Sequence, residues 1–222
     1  MSRLYPGDLF LHFGDVTDST FMLNTIKNTK PDELYNFAAQ SQVGDSFTNP
    51  TSTFDLNTKS LWYIFQSIIT LDMHEKTAVF HASTSEMFGD HRGLSVDKFN
   101  EKSEFRPMSP YAVSKVSDYH ICSYFKRVYG LKICTAISFN HESPMRNQMF
   151  VTQKIVKGAV QMLDSVTESA QRRSQLQLGN LEAMRDWGHA SDYCDAYHLM
   201  MLEVGKQKRD KGELMTYVVA TD

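Results

Sequence analysis

Nowhere in the 222 residues do glycines stand at the spacing Gly-x-x-Gly-x-x-Gly or Gly-x-Gly-x-x-Gly. That spacing lets a loop backbone seat a pyrophosphate on a helix N-terminus. Cysteine is scarce as well: Cys122, Cys134 and Cys194 are far apart and form no Cys-x-x-Cys. A disulfide framework and a zinc ribbon are excluded on that pattern, and a reducing, cytoplasmic setting is expected. No apolar run reaches the ~20 residues that cross a bilayer, and residues 1–7 hold no apolar core of a signal peptide. The formal net charge is −3, so no nonspecific attraction to nucleic acid is expected. The histidines are scattered without a ligand spacing, which argues against a metal site. Repeats and low-complexity tracts are absent. The length fits one domain, or one domain with part of another.

What is present is an alternation of short apolar strands and amphipathic helices. Residues 8–13 (Asp-Leu-Phe-Leu-His-Phe) read as a strand leaving through Gly14-Asp15-Val16, with Asp18 or Ser19 capping a helix to about 28. Residues 33–37 read as a second strand, ending in Ala38-Ala39-Gln40-Ser41. Small residues there permit either close ligand approach or tight helix–sheet packing. Over 51–71, Phe54, Leu61, Ile64, Phe65, Ile68 and Ile69 recur at helical spacing and read as core. Residues 77–82 form the next strand, 89–106 a loop or lid, and Pro110 opens a helix over 111–129 that Gly130 stops. Ile121, Phe125 and Val128 are expected to face the sheet. Further on come a strand at 132–138, a helix at 150–163 with Ile155, Ala159, Val160 and Leu163 inward, and a surface excursion at 164–174. A short strand at 175–178, a loop at 179–189, a helix capped by Ser191 and running to about 205, a charged linker at 206–211 and a strand at 215–220 complete the pattern. Such alternation implies a largely parallel, Rossmann-like α/β sheet with helices on both faces.

The chemistry concentrates between Ser83 and Lys115. Ser83-Thr84-Ser85-Glu86 follows an apolar strand, where ligands bind in open α/β sheets. Tyr111 and Lys115 are four apart at the head of a helix and point into the same space. A phenol ordinarily titrates at about 10, and an ammonium beside it favours the phenolate, which can take a hydroxyl proton while hydride leaves the same carbon. With ten tyrosines in the chain, one Tyr-x-x-x-Lys also arises by accident; the upstream Ser-Thr-Ser-Glu is what gives it meaning.

These residues resemble the extended short-chain dehydrogenase/reductase superfamily. Ala82-Ser83-Thr84-Ser85-Glu86, Ser109-Pro110-Tyr111, Phe139-Asn140-His141-Glu142-Ser143-Pro144, Leu178-Gly179-Asn180-Leu181-Glu182-Ala183 and Arg185-Asp186-Trp187-Gly188-His189 narrow the resemblance to the GDP-mannose 4,6-dehydratase family. It runs from about Leu11 to about Thr221 and matches the middle of a family chain. It implies a partial NAD(P)-binding domain over 1–148 and a partial nucleotide-sugar region over 149–222, interleaved with the last Rossmann elements. It implies Thr84, Glu86, Tyr111 and Lys115 as catalytic residues. Asp15 and Val16 would border the adenine, Phe37, Ala38, Ala39, Gln40 and Ser41 the ribose and nicotinamide side, and Lys115, His141 and Arg146 would also hold the cofactor, NADP. GDP-mannose would be held by Ser85, Asn140, Lys154, Gly179, Asn180 and Arg185, the last as a diphosphate clamp. A plain reductase needs no carboxylate at position 86, so Glu86 points to dehydration.

The departures from the family pattern are equally specific. The glycine loop is missing, so cofactor affinity is expected to fall severely. Gln153 replaces an arginine, Met184 a lysine, and Met145-Arg146-Asn147 stands where two arginines and a glycine are usual. In the family that loop meets a neighbouring subunit, so a homo-oligomer is implied with dimer and tetramer both open. Two other readings stand: a truncated, non-catalytic relative acting as a binding or regulatory protein, and a different nucleotide-sugar dehydratase or epimerase.

Overall fold

The computed structural model describes residues 9–90, 98–167, 176–208 and 211–221, with only the backbone of 164–167. Two compact units divide the chain. The first comprises residues 1–137 and 197–218, the second 138–196 and 219–222.

The first unit is built on a four-stranded sheet in the order β1 (Glu33–Asn36), β2 (Ala78–Ala82), β3 (Lys132–Ser138), β6 (Met215–Val219). β1 pairs β2 and β2 pairs β3, both parallel, with Val79 opposite Leu34 and Ile133. Parallel neighbours need crossovers, and helices supply them. Between β1 and β2 lie α2 (Val43–Thr48) and α3 (Pro50–Thr70), and between β2 and β3 lies α4 (Pro110–Tyr129). α1 (Ser19–Thr29) precedes β1 and packs on α3.

Alternation along β2 shows both faces covered, because successive side chains of a strand point opposite ways. Val79 enters a core with Met22 and Ile26 of α1, Leu61, Ile64, Phe65 and Ile68 of α3, and Cys122 and Phe125 of α4. Phe80, the next residue, turns the other way onto the Tyr197 ring at 4.6 Å. Tyr197 belongs to α6 (Ala190–Lys206), whose Met201 sulfur lies 3.9 Å from Cys134 Sγ. An α/β sheet with helices on both faces is thus the observed fold.

The helix ends follow their sequence signals. Asp18 caps α1 by accepting the amides of Thr20 at 2.8 Å and Phe21 at 3.1 Å. Asp18→Ala is expected to lower stability by about 1 kcal/mol in urea unfolding; an unchanged midpoint would show the cap idle. Ser109 caps α4 through the Ala112 amide, Pro110 occupies its first turn, and Gly130 ends it at φ 72, a left-handed conformation that glycine adopts without cost.

Several expectations fail for identifiable reasons. Residues 9–13 form no strand; they pair with no described strand, and Leu9, Phe10, Leu11 and Phe13 are exposed. Residue 8 lies outside the described residues. Phe54 and Val128 sit on the outer sides of α3 and α4 and are exposed, so neither joins the core. Residues 98–106 hold neither helix nor strand; the rest of the expected lid, 91–97, lies outside the described residues, as do 168–175 of the excursion and short strand and 209–210 of the linker. Residues 176–178 are not a strand.

In the second unit, β4 (Asn140–Glu142) pairs β5 (Trp187–His189) in parallel, where no strand was read. Three-residue strands of mixed polarity give no periodicity to read. α5 (Val151–Thr167) forms as expected, but Ile155, Ala159, Val160 and Leu163 are exposed rather than inward. Its periodicity is real, and no described segment of the unit covers that stripe. Ser191 does not cap α6: the helix starts at Ala190, and His189 Nδ1 accepts the Ser191 amide at 3.2 Å.

Candidate active site

The end of β2 and the head of α4 carry the four side chains expected to be catalytic, Thr84, Glu86, Tyr111 and Lys115. After Ala82 the chain leaves the sheet, held by a Ser83 amide bond to the Ala136 carbonyl at 2.9 Å. It then coils into a 3-10 turn, Ser85–Met87, capped by Thr84, whose Oγ1 accepts the Glu86 amide at 3.2 Å. The turn packs against α4, which places Thr84, Ser85 and Glu86, all half-buried, on an element adjoining Tyr111 and Lys115. Tyr111 and Lys115 are both buried.

Lys115 is held from three sides. Its Nζ donates to the Ala82 carbonyl at 2.9 Å and to Asp118 Oδ2 at 3.3 Å, and it lies 3.3 Å from His81 Nε2. Asp118, one turn further along α4, also lies 3.3 Å from His81 Nε2. His81 Nδ1 faces Asn36 Nδ2 at 3.1 Å, and Asn36 Oδ1 accepts the Ala38 amide at 3.1 Å. Burial and then the Lys115 ammonium hold His81 below the ordinary imidazole range, against an opposing pull from Asp118. The ring is therefore neutral, and its contact with Asp118 is a hydrogen bond rather than an ion pair.

This has a consequence for stability. An imidazole that resists protonation when folded but not when unfolded binds protons preferentially in the unfolded chain. The stability it preserves is complete above the unfolded value of 6.5 and is lost as pH falls below it, by up to about 1.4 kcal/mol per pH unit. His81→Gln is expected to flatten that fall in urea titrations between about pH 8 and 5; parallel wild-type and variant curves would contradict it.

The turn after β1 is fixed from α3. Asn57 Oδ1 accepts the Gln40 amide at 2.9 Å, and its Nδ2 donates to Ser114 Oγ at 2.8 Å. Ser114 Oγ in turn donates to the Tyr111 carbonyl at 2.7 Å. Gln40 Oε1 takes the Gln42 amide at 2.8 Å. Ala38, Ala39 and Gln40 are half-buried, while Phe37 and Ser41 are exposed; the Phe37 ring rests 5.4 Å from that of Phe80. Asp15 is exposed with Oδ1 on the Thr17 amide and hydroxyl, which lower its carboxyl below the usual range. Val16 is half-buried beside the α1/α3/α4 core.

The other expected site residues lie in the second unit. Asn140 and His141 stand on β4. His141 Nδ1 donates to the Phe139 carbonyl at 2.9 Å, and its ring stacks on Tyr193 at 4.5 Å, so this nitrogen serves structure. Arg146 reaches Glu142 at 3.3 Å and lies 3.6 Å over the Phe150 ring. Lys154 is exposed on α5, and Gly179 and Asn180 are exposed on a turn in which Asn180 Oδ1 accepts the Glu182 amide. Arg185 is exposed, its guanidinium on the Met184 carbonyl at 2.7 Å.

Asn36, Asn57, His81, Ser114 and Asp118 went unrecognised in the sequence. Three of them had a signal: a polar residue in an apolar strand (His81), one in an apolar helix stripe (Asn57), and an acid three residues after Lys115 (Asp118).

The family model described as GDP-mannose 4,6 dehydratase matches residues 2–221. The GDP-mannose 4,6-dehydratase of Sinorhizobium fredii is 40% identical over 191 residues, 86% of this chain and 52% of that protein. The GDP-mannose 4,6 dehydratase of Drosophila melanogaster is 36% identical over 215 residues, 97% of this chain and 50% of that protein. The chain therefore spans about half the length of the curated relatives it matches. Among solved structures, RMD from Pseudomonas aeruginosa complexed with NADPH aligns with a TM-score of 0.77 at 21% identity, over 94% of this chain and 65% of that one. Thermus thermophilus UDP-glucose 4-epimerase complexed with NAD aligns with a TM-score of 0.77 at 20% identity, over 98% of this chain and 65% of that one. At such identities the likeness establishes the Rossmann fold alone.

Proposed function

The chain belongs to the GDP-mannose 4,6-dehydratase family, and from that premise we propose that it carries the reacting groups for converting GDP-mannose to its 4-keto-6-deoxy product with NADP. The observation that supports this most is Glu86, half-buried on a strand-end turn packed against the helix that bears Tyr111 and Lys115. In this reading Tyr111 accepts the C4 hydroxyl proton as hydride leaves that carbon, and Thr84 hydrogen-bonds the same oxygen to orient it. Lys115 places a positive charge beside the phenol. Once C4 is a ketone the C5 proton is acidic; Glu86 removes it and passes it to the C6 hydroxyl, which departs as water as the C5–C6 double bond forms. A nicotinamide dinucleotide, held beside Lys115 and the Ala38–Gln40 turn, would supply the reversible hydride chemistry that this conversion needs.

The residues present fit that cofactor on two of its three parts. The half-buried Ala38–Gln40 turn, locked by Asn36 and Asn57, offers a rigid backbone for the nicotinamide ribose, and Asp15 with Val16 for the adenine end. No glycine cradle for the diphosphate exists in this sequence. Asn140, Lys154, Gly179, Asn180 and Arg185 would meet the nucleotide sugar, and His141 and Arg146 the cofactor. The protein would act in the cytoplasm as a homo-oligomer, dimer or tetramer.

A second reading, a non-catalytic relative that binds nucleotide sugar, rests on Met184 in place of a basic side chain. One pair of measurements separates the two. Incubation with GDP-mannose and NADP is expected to yield a 4-keto-6-deoxy sugar nucleotide on chromatography. Absence of product, with no saturation in NADP fluorescence titration up to millimolar, would leave the binding reading alone standing.

A further inference from the structure

We propose that Asp118 and His81 are positioning residues for Lys115, with the tautomer of His81 deciding how many of the ammonium's protons remain for chemistry. The inference rests on the reading that Lys115 works beside Tyr111.

Ala38 N–H is a donor, so the Asn36 atom that meets it at 3.1 Å must be the oxygen. The Asn36 amide nitrogen then faces His81 Nδ1 at 3.1 Å. An amide nitrogen only donates, so Nδ1 must be the bare acceptor. The ring proton consequently sits on Nε2, which points at Asp118 Oδ2 at 3.3 Å. A protonated Nε2 cannot accept from Lys115, although the ammonium lies 3.3 Å away. Two ammonium protons are therefore spent, on the Ala82 carbonyl and on Asp118, and the third is kept from the imidazole. The opposite tautomer would bind that third proton and take the imidazole donor from Asp118.

Asp118 supports the same conclusion. It is fully buried, and its second oxygen, Oδ1, has no hydrogen-bond partner. A half-satisfied carboxylate deep in a protein costs stability. What it achieves is to fix the Lys115 charge against the end of β2, two residues before Thr84, on a strand and a helix rather than on a loop.

The first test is spectroscopic and uses the unaltered full chain. Nitrogen-15 NMR at pH 7 is expected to show His81 neutral with Nε2 protonated; an Nδ1–H ring or an imidazolium overturns the proposal. The second is kinetic. Asp118→Asn and His81→Leu are expected to lower kcat by about 10- to 100-fold with KM for GDP-mannose within about threefold. His81→Gln, which offers a donor and an acceptor at the same end, is expected to restore most of the loss seen with leucine. Turnover of Asp118→Asn within twofold of the unaltered protein, or a rise in KM alone, overturns the assignment. Should the unaltered protein fail to process GDP-mannose, the dehydratase reading falls separately. The inference is then decided by the spectra, and a Lys115 ammonium signal unmoved by Asp118→Asn overturns it.

Discussion

Tyr111→Phe is expected to reduce formation of the 4-keto-6-deoxy product by about 10²- to 10⁴-fold, because it deletes one oxygen and leaves the buried ring in place. The helix should be undisturbed, since Ser109 and Pro110 set its start independently of the phenol. Glu86→Gln removes a different proton acceptor and should act later in the sequence. The first oxidation is expected to survive better than the elimination, so exchange of the C4 hydrogen label with the cofactor should outlast product release. Product from Tyr111→Phe at the unaltered rate would remove the tyrosine from the chemistry. Equal loss of label exchange and product in Glu86→Gln would show the carboxylate acting before the ketone forms.

Phe65→Ala is the substitution with the largest expected effect on folding. Phe65 is completely buried on α3, its ring 4.9 Å from that of Phe125 on α4, inside the cluster that joins α1, α3, α4, β2 and β3. Emptying such a site removes the transfer free energy of the ring and leaves a cavity, together about 3–5 kcal/mol. In a chain of this size that amounts to roughly 6 to 20 °C in thermal midpoint. Phe54 is the internal control. It lies on the same helix but is 39% exposed, so Phe54→Ala is expected to cost well under half as much. Equal losses at the two positions would mean that the α3–α4 contact does not carry the core.

Those two phenylalanines also illustrate what the sequence could and could not convey. Helical spacing selected both as core, and only the position of α4 distinguishes them. β2 was legible because a strand buried on both faces reads as a continuous apolar run. α4 was legible because Ser109, Pro110 and Gly130 mark its ends. Residues 9–13 have the apolar run of a strand, yet a strand forms only where a neighbour supplies hydrogen bonds, and none of the described residues does. α5 shows the same limit for helices: a stripe reports the capacity to pack, not the presence of a partner. At the site, Thr84, Glu86, Tyr111 and Lys115 could be read because each pair is close in sequence and follows a strand or helix terminus. Asn57 meets Gln40 and Ser114 at separations of 17 and 57 residues, and His81 meets Asn36 and Lys115 at separations of 45 and 34. Their meaning exists only once the chain is folded.

The division into two units has a practical corollary in the chain's optical properties. The sequence holds two tryptophans, Trp62 and Trp187, and one falls in each unit. Trp62 stacks on Tyr124 at 5.9 Å and meets Phe125 edge-on at 5.0 Å, so its emission reports whether α3 and α4 remain together. Trp187 lies half-exposed on β5. A pair of single-fluorophore versions, Trp62→Phe and Trp187→Phe, thus gives each half its own reporter. Superimposable denaturation curves would mean that the halves melt as one body, whereas separated midpoints would rank them.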